Sequence, residues 1–369
     1  AAPISQVTST VLMGLLALTF LWQGRGASRW RWRTAVLLSL YQGAWIILVA
    51  PRPVVDVLSV QEGASARLLS GANPYEGNYR NPYGDRAFLP PQVLSGPFIN
   101  TFPYPPVSLL LSIPGHLLGD VRWSTLAALV LGACFMVGMG RALGLAPGHR
   151  AELGAIVLIC HPRWFMVLQN GWTEPFLVLF AAMAAWAIAA HCEWVAGLAL
   201  GGLAGVKQYG LLMLPVWIRA ARMRVRYLLA GLAAIAAVTI VFAAWQPAAF
   251  WRGVVSWHIL SPFRRDSLTL SAWLAWKTGY EVPPWVGLLL ALLVGIMVWL
   301  RGKQQLSSAA LGNTAIALVF MLFNKAGHIN YFWWTSTMLP IAIIAAAASV
   351  ESAAADYQPE TLARQSSSS

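Results

Sequence analysis

The acidic residues are few enough to be read one at a time. Asp56 stands just past the apolar run Thr34–Ala50, where a long polar stretch begins. A carboxylate in that position is either simply solvated or a general base whose strength is set by burial and nearby cations. Glu62, about two turns further along, reads as a solvated partner. A second acid, Glu174, closes the polar run Gln169-Asn170-Gly171-Trp172-Thr173-Glu174, which interrupts two apolar segments. That run is either an interfacial turn anchored by Trp172 or a set of hydrogen-bonding groups for a polar ligand such as a sugar ring. Lys207 falls inside the apolar stretch Trp194–Ile218. An unpaired ammonium at that depth costs several kcal/mol, so an anionic partner is expected, either a carboxylate or a lipid phosphate. Two further basic clusters, Arg264 with Arg265 and Lys325 with His328, lie in polar connections between apolar runs. Each alone suits headgroup contact. Together with Lys207 they suit an anionic lipid, because Arg forks bind phosphate through paired hydrogen bonds.

The elements that must position these residues are membrane helices. Of the 369 residues 58% are hydrophobic and only 10% charged, against about 25% charged in a soluble domain. Short Arg-rich loops recur at 24–33, 141–150, 219–226 and 301–303, the pattern of a cytoplasmic side. For all four to share one side, Tyr104–Leu118 must not cross, and Trp194–Ile218 must be broken near Gly205–Lys207. Irregular backbone at membrane depth is tolerated where it lines a cavity. The expected fold is therefore an all-α, polytopic transmembrane bundle of about ten crossings, forming one domain over 1–350. Spans are expected at Val7–Trp22, Thr34–Ala50, Val121–Leu143, Glu152–Leu168, Pro175–Ala190, Tyr227–Trp245, Trp285–Leu300, Ser307–Phe323 and Tyr331–Val350, besides the broken segment. A first outer loop, 52–103, carries an interfacial helix over Val54–Leu69 and Asn-Pro turns at Asn73 and Asn81. A second outer loop covers 246–284. Residues 351–369 read as a disordered polar cytoplasmic tail. The chain begins at Ala1 rather than Met, and a preceding N-terminal segment, up to one more helix, is expected.

Composition removes several alternatives. The net charge of +12 is concentrated in short loops, so nucleic acid is not an expected partner. Cys134, Cys160 and Cys192 lie in or beside apolar runs without metal-ligand spacing and read as ordinary buried thiols. No Walker loop, His-Glu-x-x-His or Gly-x-Ser-x-Gly occurs. His161, His191 and His258 are scattered and read as structural or interfacial.

The order of motifs is more telling than any one of them. Asp56 is followed by Gly71-Ala72-Asn73-Pro74-Tyr75, Phe102-Pro103-Tyr104-Pro105-Pro106, Asn170-Gly171-Trp172-Thr173-Glu174-Pro175, Val206-Lys207-Gln208-Tyr209, and Asn324-Lys325 through Asn330-Tyr331. This series resembles the GT-C superfamily of membrane glycosyltransferases, in particular glycosyltransferase family 87, which includes polyprenyl-phosphate-mannose-dependent mannosyltransferases. The resemblance implies inverting transfer of a sugar from a polyprenyl-phosphate donor to a lipid or glycan acceptor at the extracytoplasmic face of the plasma membrane. It implies Asp56 as general base and Lys207, Arg264, Arg265, Lys325 and His328 as candidates to hold the donor phosphate. Tyr104, Asn170, Trp172, Glu174, Gln208, Tyr209, Asn330 and Tyr331 are the corresponding substrate contacts. The Tyr-Pro-Pro segment resembles a juxtamembrane helix of the family. Many members carry two adjacent acids in the first loop, whereas Asp56 is flanked by Val55 and Val57. No cofactor is therefore expected and no metal ligands are assigned, although the resemblance leaves a divalent ion open. Two other readings share the features: a transporter or flippase of a lipid-linked sugar, which needs a path to the cytoplasmic side, and a structural subunit presenting its outer loops to a partner.

Overall fold

The computed structural model describes residues 27–84, 88–146, 150–161, 163–221 and 224–351, with part of 11–21. Half of the expected first span and the tail beyond Glu351 lie outside the described residues. Helices dominate, and the only strands among the described residues are Tyr79–Arg80, Leu94–Ser95 and Phe98–Ile99, one small antiparallel sheet in the first long loop. Among the described residues five helices are long and apolar enough to cross a membrane: Arg29–Val49, Arg122–Ala142, Val225–Trp245, Pro284–Arg301 and Ile329–Glu351. Four shorter apolar helices accompany them: Pro106–Leu117, Glu174–Ala189, Glu193–Val206 and Leu306–Leu322.

The breaks have local causes. Pro106–Leu117 has 12 residues, about 18 Å at ~1.5 Å per residue, well short of a hydrocarbon core of about 30 Å. Its start is set by Pro105 and Pro106, and Pro114 sits inside it. Glu193–Val206 ends at Lys207, whose backbone is extended, and a 3₁₀ segment, Gln208–Met213, follows before Leu214–Ala221. The expected break at Lys207 is thus present. The expected single span Glu152–Leu168 is instead two helices, Arg150–Ile159 and Trp164–Gln169. The reason lies in the sequence: His161 precedes Pro162, and a residue before proline is pushed out of the α region.

Packing divides the molecule in two. In the apolar bundle Arg122–Ala142 packs on Glu174–Ala189, and Glu193–Val206 packs on both Glu174–Ala189 and Val225–Trp245. Gly197 and Gly201 face Gly231 across the last contact, so close that a Cβ on any of them would strike the opposite backbone. Small residues spaced by four are what bring membrane helices this near. A separate core joins the two long loops. Tyr75 is fully buried, with ring centroids 5.6 Å from Phe102, 6.1 Å from Phe242 and 4.9 Å from Phe250. Trp257 and Ala249 of the second loop belong to the same cluster. This second core fixes the first long loop against the second, and the site lies where they meet.

Candidate functional site

Asp56 is the first residue of the Asp56–Leu69 helix. The unsatisfied amides of a helix start favour a carboxylate there, and the Val57 amide donates to Asp56 Oδ1 at 2.9 Å. The Tyr83 hydroxyl donates to the same oxygen at 2.8 Å. Oδ2 has no hydrogen-bond partner among the described residues. Tyr83 is delivered by a turn: Asn81 Oδ1 accepts from the Tyr83 amide at 3.0 Å and Asn81 Nδ2 donates to the Gly84 carbonyl at 3.1 Å. Burial, and then the Asp56 charge, push the Tyr83 phenol well above its ordinary range, so it stays a donor.

Arg264, of the second long loop, lies within electrostatic reach of Asp56. It lies 3.8 Å from the centroid of the Phe88 ring, and Phe88 meets Tyr83 edge-on at 5.3 Å. Asp266 grips it twice, from Nε and Nη2, at 2.7 Å each. Burial acts against the guanidinium charge, but the Asp266 carboxylate outweighs it and holds Arg264 above its usual range. His328 lies within the electrostatic reach of Arg264, Asp266 and Asp56. Burial and then the Arg264 charge lower its pKa, so it is neutral at pH 7.

The second acid holds a second centre. Lys207 Nζ and Glu174 Oε1 are 2.5 Å apart, with the lysine 5% and the glutamate 0% exposed. Asn330 Nδ2 also donates to Oε1, at 2.8 Å. The ammonium lies 5.5, 5.9 and 5.2 Å from the ring centroids of Tyr104, Tyr209 and Tyr331, a cage of aromatic faces that favours a cation. Among the described residues Glu174 Oε2, Asn330 Oδ1 and the Tyr209 hydroxyl have no well-formed hydrogen bond, although Tyr209 lies close enough to Glu174 for a weak one. Tyr104 links the two centres. It stands over Lys207, while burial, and then the Asp56 charge with a further contribution from Glu174, push its hydroxyl well above the usual phenol range.

The sequence-derived residues therefore separate into groups. Asp56, Arg264, His328, Tyr104, Tyr331, Lys207, Glu174, Tyr209 and Asn330 come together. Gln208 donates to the Val254 carbonyl at 2.8 Å and ties the helix break to the π-helical turn Arg252–Ser256. Lys325 spends its ammonium on the Ile259 and Ser261 carbonyls, at 2.9 and 2.6 Å. Arg265 turns outward to Glu281 at 2.9 Å, in a pair 60% and 44% exposed. Asn170 donates to the Met166 carbonyl of its own helix at 2.8 Å, and Trp172 packs against the bundle core. Gly171, at φ +63°, passes under Leu58 and brings that turn to the Asp56 helix.

Sequence reasoning missed Tyr83, Phe88 and the Asp266 clasp. Only the Asn81-Pro82-Tyr83-Gly84 turn carried a signal, and it was read as loop punctuation. His258, read as structural, has Nε2 2.9 Å from the Pro103 carbonyl. Among the described residues no three His, Cys, Asp or Glu side chains gather as a metal-binding set.

An all-helical membrane bundle, with an acid and basic side chains gathered under two packed loops, defines a class, the GT-C type of membrane glycosyltransferase fold. The crystal structure of ArnT from Cupriavidus metallidurans bound to undecaprenyl phosphate matches 88% of this chain at a TM-score of 0.56 and 16% identity. That identity speaks for the fold alone, and this chain spans 60% of the length of that one. No curated protein matches the sequence. The model of glycosyltransferase family 87 matches residues 102–326. The chain is a membrane protein and belongs to glycosyltransferase family 87, as its motif order implied.

Proposed function

We propose that this chain transfers a sugar, mannose or a close relative, from a polyprenyl-phosphate donor to an acceptor hydroxyl at the extracytoplasmic face of the plasma membrane, with inversion. One observation supports the reading above the others: Asp56 of the first long loop lies within electrostatic reach of Arg264 of the second long loop and of His328, which precedes the Ile329–Glu351 helix. A base with cationic groups nearby suits a displacement whose leaving group departs as phosphate. The fold likeness to a protein crystallised with undecaprenyl phosphate agrees with the donor class.

In this mechanism Asp56 accepts the acceptor's proton through Oδ2, the oxygen that Tyr83 and Val57 leave open. The acceptor oxygen bonds to the anomeric carbon as the bond from that carbon to the phosphate oxygen breaks. The polyprenyl phosphate departs with its charge, so fixed cations assist it without supplying a proton. Arg264 is the cation nearest in charge influence to Asp56, and with Asp266 holding its Nε and Nη2 the Nη1 edge is the part left for phosphate. Lys207 is already neutralised by Glu174, so its direct contact with phosphate requires it to leave that carboxylate. Tyr104, Tyr331 and Asn330 remain to position the sugar.

Asp56→Asn keeps the shape and removes the base. Transfer from undecaprenyl-phosphate mannose by the purified full chain is expected to fall about 10²–10⁴-fold while donor binding persists. Unchanged transfer removes Asp56 from the mechanism. Movement of the lipid-linked sugar across proteoliposomes without transfer supports the flippase instead. Mass spectrometry of lipids that co-purify with the chain tests the donor class directly.

A further inference from the structure

We infer that Tyr83 is a positioning residue for the Asp56 carboxylate, selecting the oxygen that takes the proton. The inference rests on the reading of Asp56 as the base. Three hydrogen bonds carry it. The phenol donates to Oδ1 at 2.8 Å and also accepts from the Asp56 amide at 3.3 Å, so it grips both the side chain and the backbone of one residue. The Val57 amide adds a second donor to the same Oδ1. With two donors on one oxygen, the other is left as the basic site, and the carboxyl plane is fixed by two bonds rather than one.

Tyr83 is itself held. The Asn81 side chain bonds the Tyr83 amide and the Gly84 carbonyl, closing a turn in which Gly84 takes φ +59°. A Cβ is disfavoured at that angle, so the turn depends on glycine. Phe88 then backs the Tyr83 ring edge-on, and Arg264 lies on Phe88. Asp56 and Arg264 thus touch the two ends of one aromatic pair, Tyr83 and Phe88, in the first long loop, with Arg264 reaching it from the second. Tyr83 therefore aims the carboxylate.

Tyr83→Phe removes one oxygen and leaves the ring packed on Phe88. Two measurements on the purified full chain separate positioning from mere stability. With undecaprenyl-phosphate mannose and octyl mannoside, kcat is expected to fall about tenfold with donor KM held. In the Asp56→Asn background the same Tyr83→Phe change is expected to cost no further activity, because no base is left to aim. An unchanged kcat, or a roughly tenfold fall of equal size in both backgrounds, overturns the inference. Transfer by Asp56→Asn at the wild-type rate overturns the base instead.

Discussion

Two buried ion pairs in this molecule have opposite surroundings. Asp120 and Arg122, at the start of the Arg122–Ala142 helix, are saturated. Arg122 meets Asp120 through Nε and Nη2 at 2.7–3.1 Å, and gives further bonds to the Ile47 carbonyl at 3.1 Å and the Gln169 carbonyl at 3.4 Å. Its amide also donates to Asp120 Oδ1 at 2.9 Å. Lys207 and Glu174 are equally buried, but around them a carboxylate oxygen, an amide oxygen and a phenol lack well-formed hydrogen bonds among the described residues. Buried polar groups are normally bonded, and a network left open invites a reason. The first pair pins three segments together. The second leaves polar atoms available at a break in a membrane helix. Open capacity alone does not mark a site, since Gln61 and Asn313 also keep an unbonded amide nitrogen; here it stands beside a buried ion pair.

The sharpest way to break this comparison is to remove one partner of the saturated pair. Arg122→Met leaves the Asp120 charge buried and the Ile47 and Gln169 carbonyls without their donor. Loss of one partner of a buried pair costs roughly 3–5 kcal/mol. The midpoint of thermal unfolding in detergent is expected to fall sharply, with transfer reduced only in proportion to the folded fraction. A variant that melts as the wild type does would show that the pair is not what holds these segments.

The open pair answers differently when both charges are removed. Glu174→Gln with Lys207→Met leaves no buried charge, and such neutral replacements of a buried pair are often stability-neutral or better. Thermal unfolding is expected within about 1 kcal/mol of wild type, whereas sugar transfer is expected to fall at least tenfold. Stability lost together with activity would place Lys207 and Glu174 in the same structural role as Asp120 and Arg122.

The difference also explains what the sequence could reveal. Hydropathy placed the bundle, since a 20-residue apolar run has few alternatives to a membrane helix. Lys207 stood out because an ammonium inside an apolar stretch must have a partner, yet nothing in the sequence said that Glu174, 33 positions away, would be it. The same charge logic read Arg264 and Arg265 alike. Adjacent residues point in different directions, and packing gave Arg264 to Phe88 and Asp266 but Arg265 to solvent and Glu281. Tyr83 was illegible because its meaning is a hydrogen bond to a residue 27 positions earlier. Asp120 and Arg122 sit two apart and could have been paired by eye, but their carbonyl partners on Ile47 and Gln169 come from distant segments.

His328 offers the gentlest test, because it is a basic group of the open region without a settled charge. Burial and the Arg264 charge depress its pKa below the usual histidine value in the free protein. A phosphate bound between Arg264 and His328 offsets both causes and raises it again. The bound state then holds more protons than the free state between those two values, so binding takes up a proton. Affinity for undecaprenyl phosphate is expected to increase as pH falls through that window, by at most about tenfold per unit. It should level off once the pH drops below the free-state value, where both states are protonated. His328→Gln is expected to flatten the dependence while leaving affinity at pH 8 nearly unchanged, since the wild-type ring is neutral there too. Titrations of the two proteins with undecaprenyl phosphate from pH 5 to 8 measure the slope. An identical slope in both would place the donor phosphate away from His328 and leave Arg264 to hold it alone.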